Sequence, residues 1–292
     1  MRYFVFINFF FLSAVLYAQR PSGPDISLNN NWVADNNSDA AFQAYSIRVK
    51  LLSKPLNQGK SGILNFHATY SYIKIDFKDK QELLDDLQYF HGVGLMMGYI
   101  KQLGNPKWSF MGMANPQLNS NFVDGVKGDD FYLNILALFN YSKQKNSRFS
   151  LGFAYTNTLG IPAPIPVINY WKAWSDSWEM NFGFPRVNLT HHFNNKNSLI
   201  AFSELKGYNG NISKELKDPL FKMNRKAQRI SSRDILAGLE WKCKLKKGFQ
   251  FYINTSYTLN RNFKLQNRNN DTVYKFEMGK NFYFGGGISF SY

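Results

Sequence analysis

Four histidines, one cysteine and a cluster of three aspartates are the side chains of this 292-residue chain best suited to chemistry, and their spacing limits what they could do. His67, His91, His191 and His192 form no His-Glu-x-x-His pair, and no Gly-x-Ser-x-Gly elbow occurs. Cys243 alternates onto a strand face that carries aliphatic side chains, so neither a zinc set nor a linear catalytic triad can be written. No catalytic residue, metal or cofactor is therefore assigned. His191 and His192 are adjacent on a strand and must point to opposite faces. Ser and His from different strands could still assemble a hydrolase within a barrel wall, which keeps an enzyme acting on lipid or lipopolysaccharide as the alternative function. Gly59-Lys60-Ser61 ends like a phosphate loop, but position 54 is Lys where that loop needs Gly, so the segment reads as a polar turn. Asp124, Asp129 and Asp130 surround Gly125 and Gly128 without the ligand pattern of a calcium loop, and the expected reading is a solvated acidic loop. Lys80 to Leu87, after an N-cap at Asp79, can form one or two helical turns packed over a rim.

Charge points to anionic surroundings. The formal net charge is +15, and seven basic residues between Lys214 and Arg233 face only Glu215 and Asp218. Within that stretch Lys222, Arg225, Lys226 and Arg229 are candidate contacts for the phosphates of lipopolysaccharide, with a merely solvated loop as the plainer reading. Met1 to Ala18 reads as a signal peptide: Arg2 is the positive n-region, Phe4 to Leu16 the apolar core, and Ala18 the small residue before the cut. Export makes nucleic acid an improbable partner. The single cysteine excludes an internal disulfide framework, so stability has to come from burial or from a membrane.

The elements that would position these residues are strands. Phe249, Phe251, Ile253, Thr255, Tyr257 and Leu259 alternate with Gln250, Tyr252, Asn254, Ser256, Thr258 and Asn260. Ile235 to Leu245 and Leu64 to Tyr72 repeat the pattern, as does Phe149 to Tyr155. One face suits lipid and the other is small and polar. Mean hydropathy is −0.36, too low for a helical membrane protein, while 27 Phe, 17 Tyr and 6 Trp exclude disorder. Connectors alternate in length: short at 54–61, 104–105, 143–147, 194–197 and 246–248, long at 78–88, 115–128, 157–177, 208–228 and 265–272. That sorting predicts a transmembrane barrel with turns on one rim and loops on the other.

Strands are expected at 42–53, 62–77, 90–102, 106–114, 129–142, 147–157, 178–193, 196–207, 229–246, 248–264 and 276–292. Because bacterial barrels use even numbers, the Asn-interrupted segment 25–33 is added, which makes twelve, with ten as the alternative count. The fold class is thus an all-β, antiparallel up-and-down transmembrane barrel, occupying residues 19–292 as one domain. The terminal alternation Phe284, Gly286, Ile288, Phe290 and Tyr292 resembles the C-terminal signature read by the barrel-insertion machinery, the expected protein partner.

Pro162, Pro164 and Pro166, followed by Trp178 to Pro185 (Trp-Glu-Met-Asn-Phe-Gly-Phe-Pro), resemble the central region of an outer-membrane β-barrel domain family of unknown function from Bacteroidota. In that family a proline-punctuated loop leads to a Trp-containing strand that ends in Pro. The resemblance implies fold and cell outer-membrane location and no activity.

Inside such a barrel Glu240, Lys242 and Lys244 would line the lumen, with Asn254 and Ser256 on the neighbouring strand. Charges there must be paired or hydrated. A wet lumen makes a narrow solute channel, and a dry, interlocked one an envelope-structural barrel. Outer-membrane lipids are the expected surroundings, and the oligomeric state is left open.

Overall fold

The computed structural model describes residues 26–33, 38–57, 62–78, 85–156, 163–216, 226–245 and 248–291. The expected signal peptide, the Gly59-Lys60-Ser61 turn and most of the segment after Asp79 lie outside them. In chain order the strands begin with β1 (Ile26–Val33), β2 (Ala40–Pro55), β3 (Ile63–Phe77), β4 (Tyr89–Gln102) and β5 (Trp108–Ser120). Then come β6 (Phe131–Gln144), β7 (Ser147–Thr156), β8 (Ala163–Ala173), β9 (Trp178–Gly183) and β10 (Arg186–His192). The last are β11 (Asn197–Leu216), β12 (Ala227–Lys244), β13 (Phe249–Gln266), β14 (Thr272–Phe276) and β15 (Phe282–Phe290). Consecutive strands pair antiparallel from β1 to β13, β13 pairs with β15, and β15 returns to β1. The ladder closes into a barrel of fourteen strands, and β14 extends the wall beside the far end of β13.

Fourteen replaces the expected twelve for two reasons. Residues 157–177, expected as a loop, contain β8; its prolines hid it, because Pro in a strand interior normally argues against a strand. Residues 178–193, expected as one strand, fold back at Phe184-Pro185 into β9 and β10. Long stretches of the other expected loops are also strand, as β5 runs to Ser120 and β11 to Leu216.

Both ends of the described wall, Ile26 and Phe290, pair at one rim, here called proximal. The turns expected to be short fall on that rim and the longer links on the opposite, distal rim. The β9–β10 connection breaks the rule, with two residues on the distal side.

Outward positions carry the large side chains: Phe139, Phe149, Leu151, Phe153, Ile168, Phe182, Leu239 and Ile253 are all exposed. Inward positions such as Asn29, Ser46, Asn65, Asn140, Ser150, Thr190, Ser256 and Thr258 are buried. The seam closes because the inner face of β15 is glycine at 285 and 287. A Cβ on Gly287 would stand 2.3 Å from the Tyr252 ring, and one on Gly285 2.7 Å from Asn31 Oδ1. Through that space Tyr252 reaches across and donates its hydroxyl to Asn29 Oδ1 at 3.0 Å.

Alternation does not persist to the distal rim. A β-bulge places Leu259 and Asn260 together against one residue of β12, so Ile235 faces Asn260 while Leu236 faces Thr258. Asn260, expected inward, points outward, and Arg261, Phe263 and Leu265 turn inward. There Phe263 and Leu265 join Ala40, Ile75, Leu87, Phe90, Ile212, Leu216, Ala227, Ile230, Val273 and Phe276 in a buried apolar core. Phe263 stacks on Phe276 at 4.5 Å and meets Phe42 edge-on at 4.9 Å.

Candidate functional site

The distal core is completed by an inward fold of β11. Beyond Pro185, whose carbonyl accepts from Leu205 N–H at 2.9 Å, β11 leaves β10 and crosses to the tip of β5, where Asn211 lies beside Ser120. Its outer-face residues are therefore buried against the β5–β6 link. Asn211 donates to Asp130 Oδ1 at 2.6 Å, and Tyr132 donates to Asn209 Oδ1 at 3.0 Å. Ser213 Oγ accepts from Asp124 N–H at 2.9 Å, and Lys127 Nζ donates to the Ser213 carbonyl at 2.6 Å. The expected solvated acidic loop holds for Asp124 and Asp129, which stay exposed and pair with Lys127 and Arg268, but Asp130 is fully buried and latches the loop to β11. The Lys127 ammonium holds the exposed Asp124 carboxyl below its ordinary range.

Beneath the core and latch lies a cavity of about 320 Å³. Its wall has two characters. From β6 to β8 it is mainly apolar, with Leu136, Ala154, Ile165 and Val167, and Asn134 and Thr156 hydrogen-bonded to each other beside them. From β10 to β13 it is charged. Arg186 bridges Glu204 at 3.1 Å and Glu240 at 3.2 Å, while Lys242 reaches Glu240 at 2.9 Å. Asp234 accepts from Tyr283 and lies 3.5 Å from Arg261. These groups are almost wholly removed from water, where charges persist only when paired.

A family model described as a domain of unknown function, DUF6268, matches residues 20–291. The chain belongs to the DUF6268 family. Among solved structures this DUF6268 barrel is similar to a NanC porin in a rhombohedral crystal form, at 9% identity and a TM-score of 0.38, over 91% of this chain and 100% of that one. No curated protein matches it.

In the DUF6268 barrel Glu240, Lys242 and Lys244 share one face of β12. Asn254 and Ser256 pair with Glu240 and Gly238 from β13. Glu240 and Ser256 are buried, and Lys242 lines the cavity. The sequence missed Arg186, Glu204 and Asp234, which complete the charged wall. A signal existed for Glu204 and Asp234, lone acids within alternating segments, whereas Arg186 lay in a strand read as continuing through Pro185. Of the candidate lipopolysaccharide contacts, Lys222 and Arg225 lie outside the described residues, and Lys226 is exposed at the distal rim. Arg229 is occupied in holding the β13–β14 turn, donating to the Arg268 carbonyl at 3.2 Å and to Asn270 Oδ1 at 3.1 Å.

The histidines do not converge. His67 is buried on the inner face of β3, and His91 sits outward against Tyr70 and Tyr72. His191 stacks outward on Trp178, and His192 turns inward to share a 2.8 Å hydrogen bond with Ser198. Cys243 is half-buried on the face opposite Lys242. Among the described residues no three metal-ligating side chains gather, and no helix is long and apolar enough to cross a membrane.

Proposed function

We propose that the chain is an integral barrel of the channel class in a Gram-negative outer membrane, exported behind residues 1–18 as a signal peptide and inserted by machinery that reads its terminal aromatic strand. The observation that carries this reading is the inverted distribution of side chains on a closed ladder. Aliphatic and aromatic residues cover the outside, and amides, hydroxyls and charges make up the inside apart from the distal core and the β6–β8 wall. In water that outer surface would be one large apolar patch. In hydrocarbon it is the stable arrangement, because a closed ladder satisfies backbone groups internally. Aromatic clusters at the two ends of the wall, Trp108 with Tyr141 proximally and Tyr72 with Tyr89 distally, suit the two membrane interfaces.

The lumen of this channel is closed at its distal end at rest. The apolar core and the latch occupy that end, leaving the charged and apolar cavity beneath them as the solute-holding space. Lipopolysaccharide remains the proposed contact of Lys222, Arg225 and Lys226. Arg229 contributes there through the turn it holds.

Membrane fractionation tests the reading. The mature chain should resist alkaline carbonate and migrate on gels as a compact species that heating converts to a slower one. Release by carbonate would overturn it.

A further inference from the structure

The barrel wall has a gap on one side. The β9 and β10 strands have six and seven residues, against twenty in β11 and eleven in β8. Pairing of β8 with β9 ends at Asn169 and Gly183, and pairing of β10 with β11 ends at Arg186 and Glu204. Above that level the backbone of β8 is paired only with β7, and that of Lys206 to Gly210 in β11 only with β12. At a tilted rise of about 2.5 Å per residue, the short hairpin stands about 15 to 18 Å above the proximal rim, less than the ~25 Å apolar band of such barrels. The gap therefore opens within the membrane and towards its distal leaflet.

The bare edge is built to stand there. The carbonyl of Ile168 accepts from Phe184 N–H at 3.3 Å, so the even-numbered residues of β8 turn their backbone groups towards the gap. Pro164 and Pro166 are two of these, and each removes a donor that would have no partner in hydrocarbon. The odd-numbered residues of the same segment bond to β7, and none of those described is proline.

The cavity reaches this gap. Five consecutive residues, Glu204 to Tyr208, line it together with Phe184 and Pro185. These residues lie at the hairpin tip and along the edge of β11 at and above the last β10 pairing. Inside are the apolar wall of β6 to β8 and two cations with no carboxylate at ion-pair distance among the described residues, Lys206 and Arg48. The carboxylates beside Lys206 are committed elsewhere, Glu204 to Arg186 and Asp234 to Tyr283 and Arg261. Arg48 Nε is buried without a hydrogen-bond partner.

We propose that this cavity binds a single-chain anionic amphiphile that reaches it sideways from the membrane, through the gap between β8 and β11. The acyl chain lies along Leu136, Ala154, Ile165 and Val167, and the anionic head meets a buried cation of the wall, Lys206 or Arg48. The inference rests on the membrane reading above and names the class of solute.

Dansyl-undecanoate is the probe, added from donor vesicles to the barrel in liposomes. Saturable, blue-shifted binding at one probe per barrel is expected. Filling the wall by Ala154→Trp, or by Val167→Phe should the first variant not fold, should weaken it at least tenfold. The Arg48→Gln, Lys206→Gln double variant should weaken it about tenfold or more, without affecting the matching dansyl-alkylammonium. Gly207→Trp, at the edge of the gap, should slow uptake several-fold and leave final occupancy unchanged. A carbonate-resistant, heat-modifiable barrel that binds no probe, binds it independently of the wall, or takes it up at the same rate in Gly207→Trp would overturn this inference alone. Release by carbonate would instead overturn the membrane reading beneath it.

Discussion

Arg186 is the residue on which the charged wall depends. It answers Glu204 and Glu240 simultaneously and stacks over Phe202 at 4.2 Å. All three charged side chains are nearly excluded from solvent, so their attraction offsets desolvation only while the set is complete. Arg186→Met leaves Glu204 without its cation, whereas Glu240 keeps Lys242. The expected loss is about 3–5 kcal/mol, read as a lower urea midpoint for unfolding from liposomes. Adding Glu204→Gln should restore part of it, and additive losses would show that the two groups are not coupled. Gly287 illustrates the opposite kind of constraint. It matters for what it lacks, since Tyr252 occupies the space a Cβ would take.

At the scale of elements, β13 shows how one extra residue reassigns a strand. Its proximal half follows the alternation read from the sequence, but past the bulge at Leu259 the inward set becomes Arg261, Phe263 and Leu265. Deleting Leu259 would leave Asn260 as the single outward residue between Thr258 and Arg261, restoring strict alternation while Arg261, Phe263 and Leu265 stay inward, whereas deleting Asn262 would turn Phe263 and Leu265 outward and empty the distal core. The Leu259 deletion is expected to keep the heat-modifiable compact band and the Asn262 deletion to lose it; the same band from both would show that the inward set past the bulge does not hold the distal end. The prolines of β8 teach a related lesson. Pro reads as a break in a strand, and only the missing neighbour above the β9–β10 hairpin makes it compatible with one.

At the scale of the whole molecule, the distal core decides whether the barrel conducts along its axis. Phe42, Phe263 and Phe276 pack ring to ring across strands distant in sequence. Phe263→Ala with Phe276→Ala removes two rings, a change that costs about 3–5 kcal/mol for each in a packed core. Provided the variant still shows the compact band, it should open stepwise in a planar lipid bilayer, where the unaltered chain should be closed. Silence from the folded variant would place the axial block elsewhere in the lumen.

Chain alternation alone determined that this is an all-β chain with one apolar and one polar face, that its connectors sort by rim, and that Glu240, Lys242, Asn254 and Ser256 share a face. Period-two patterning is local, so it is legible residue by residue. The count of fourteen strands, the inward fold of β11, the burial of Asp130 and the convergence of Arg186 with Glu204 and Glu240 were decided only by the tertiary structure. Each depends on which strand lies beside which, and on where a strand has no neighbour at all. Such contacts join residues far apart in the chain, as Asn211 and Asp130 are at 81 positions, and no local periodicity encodes them.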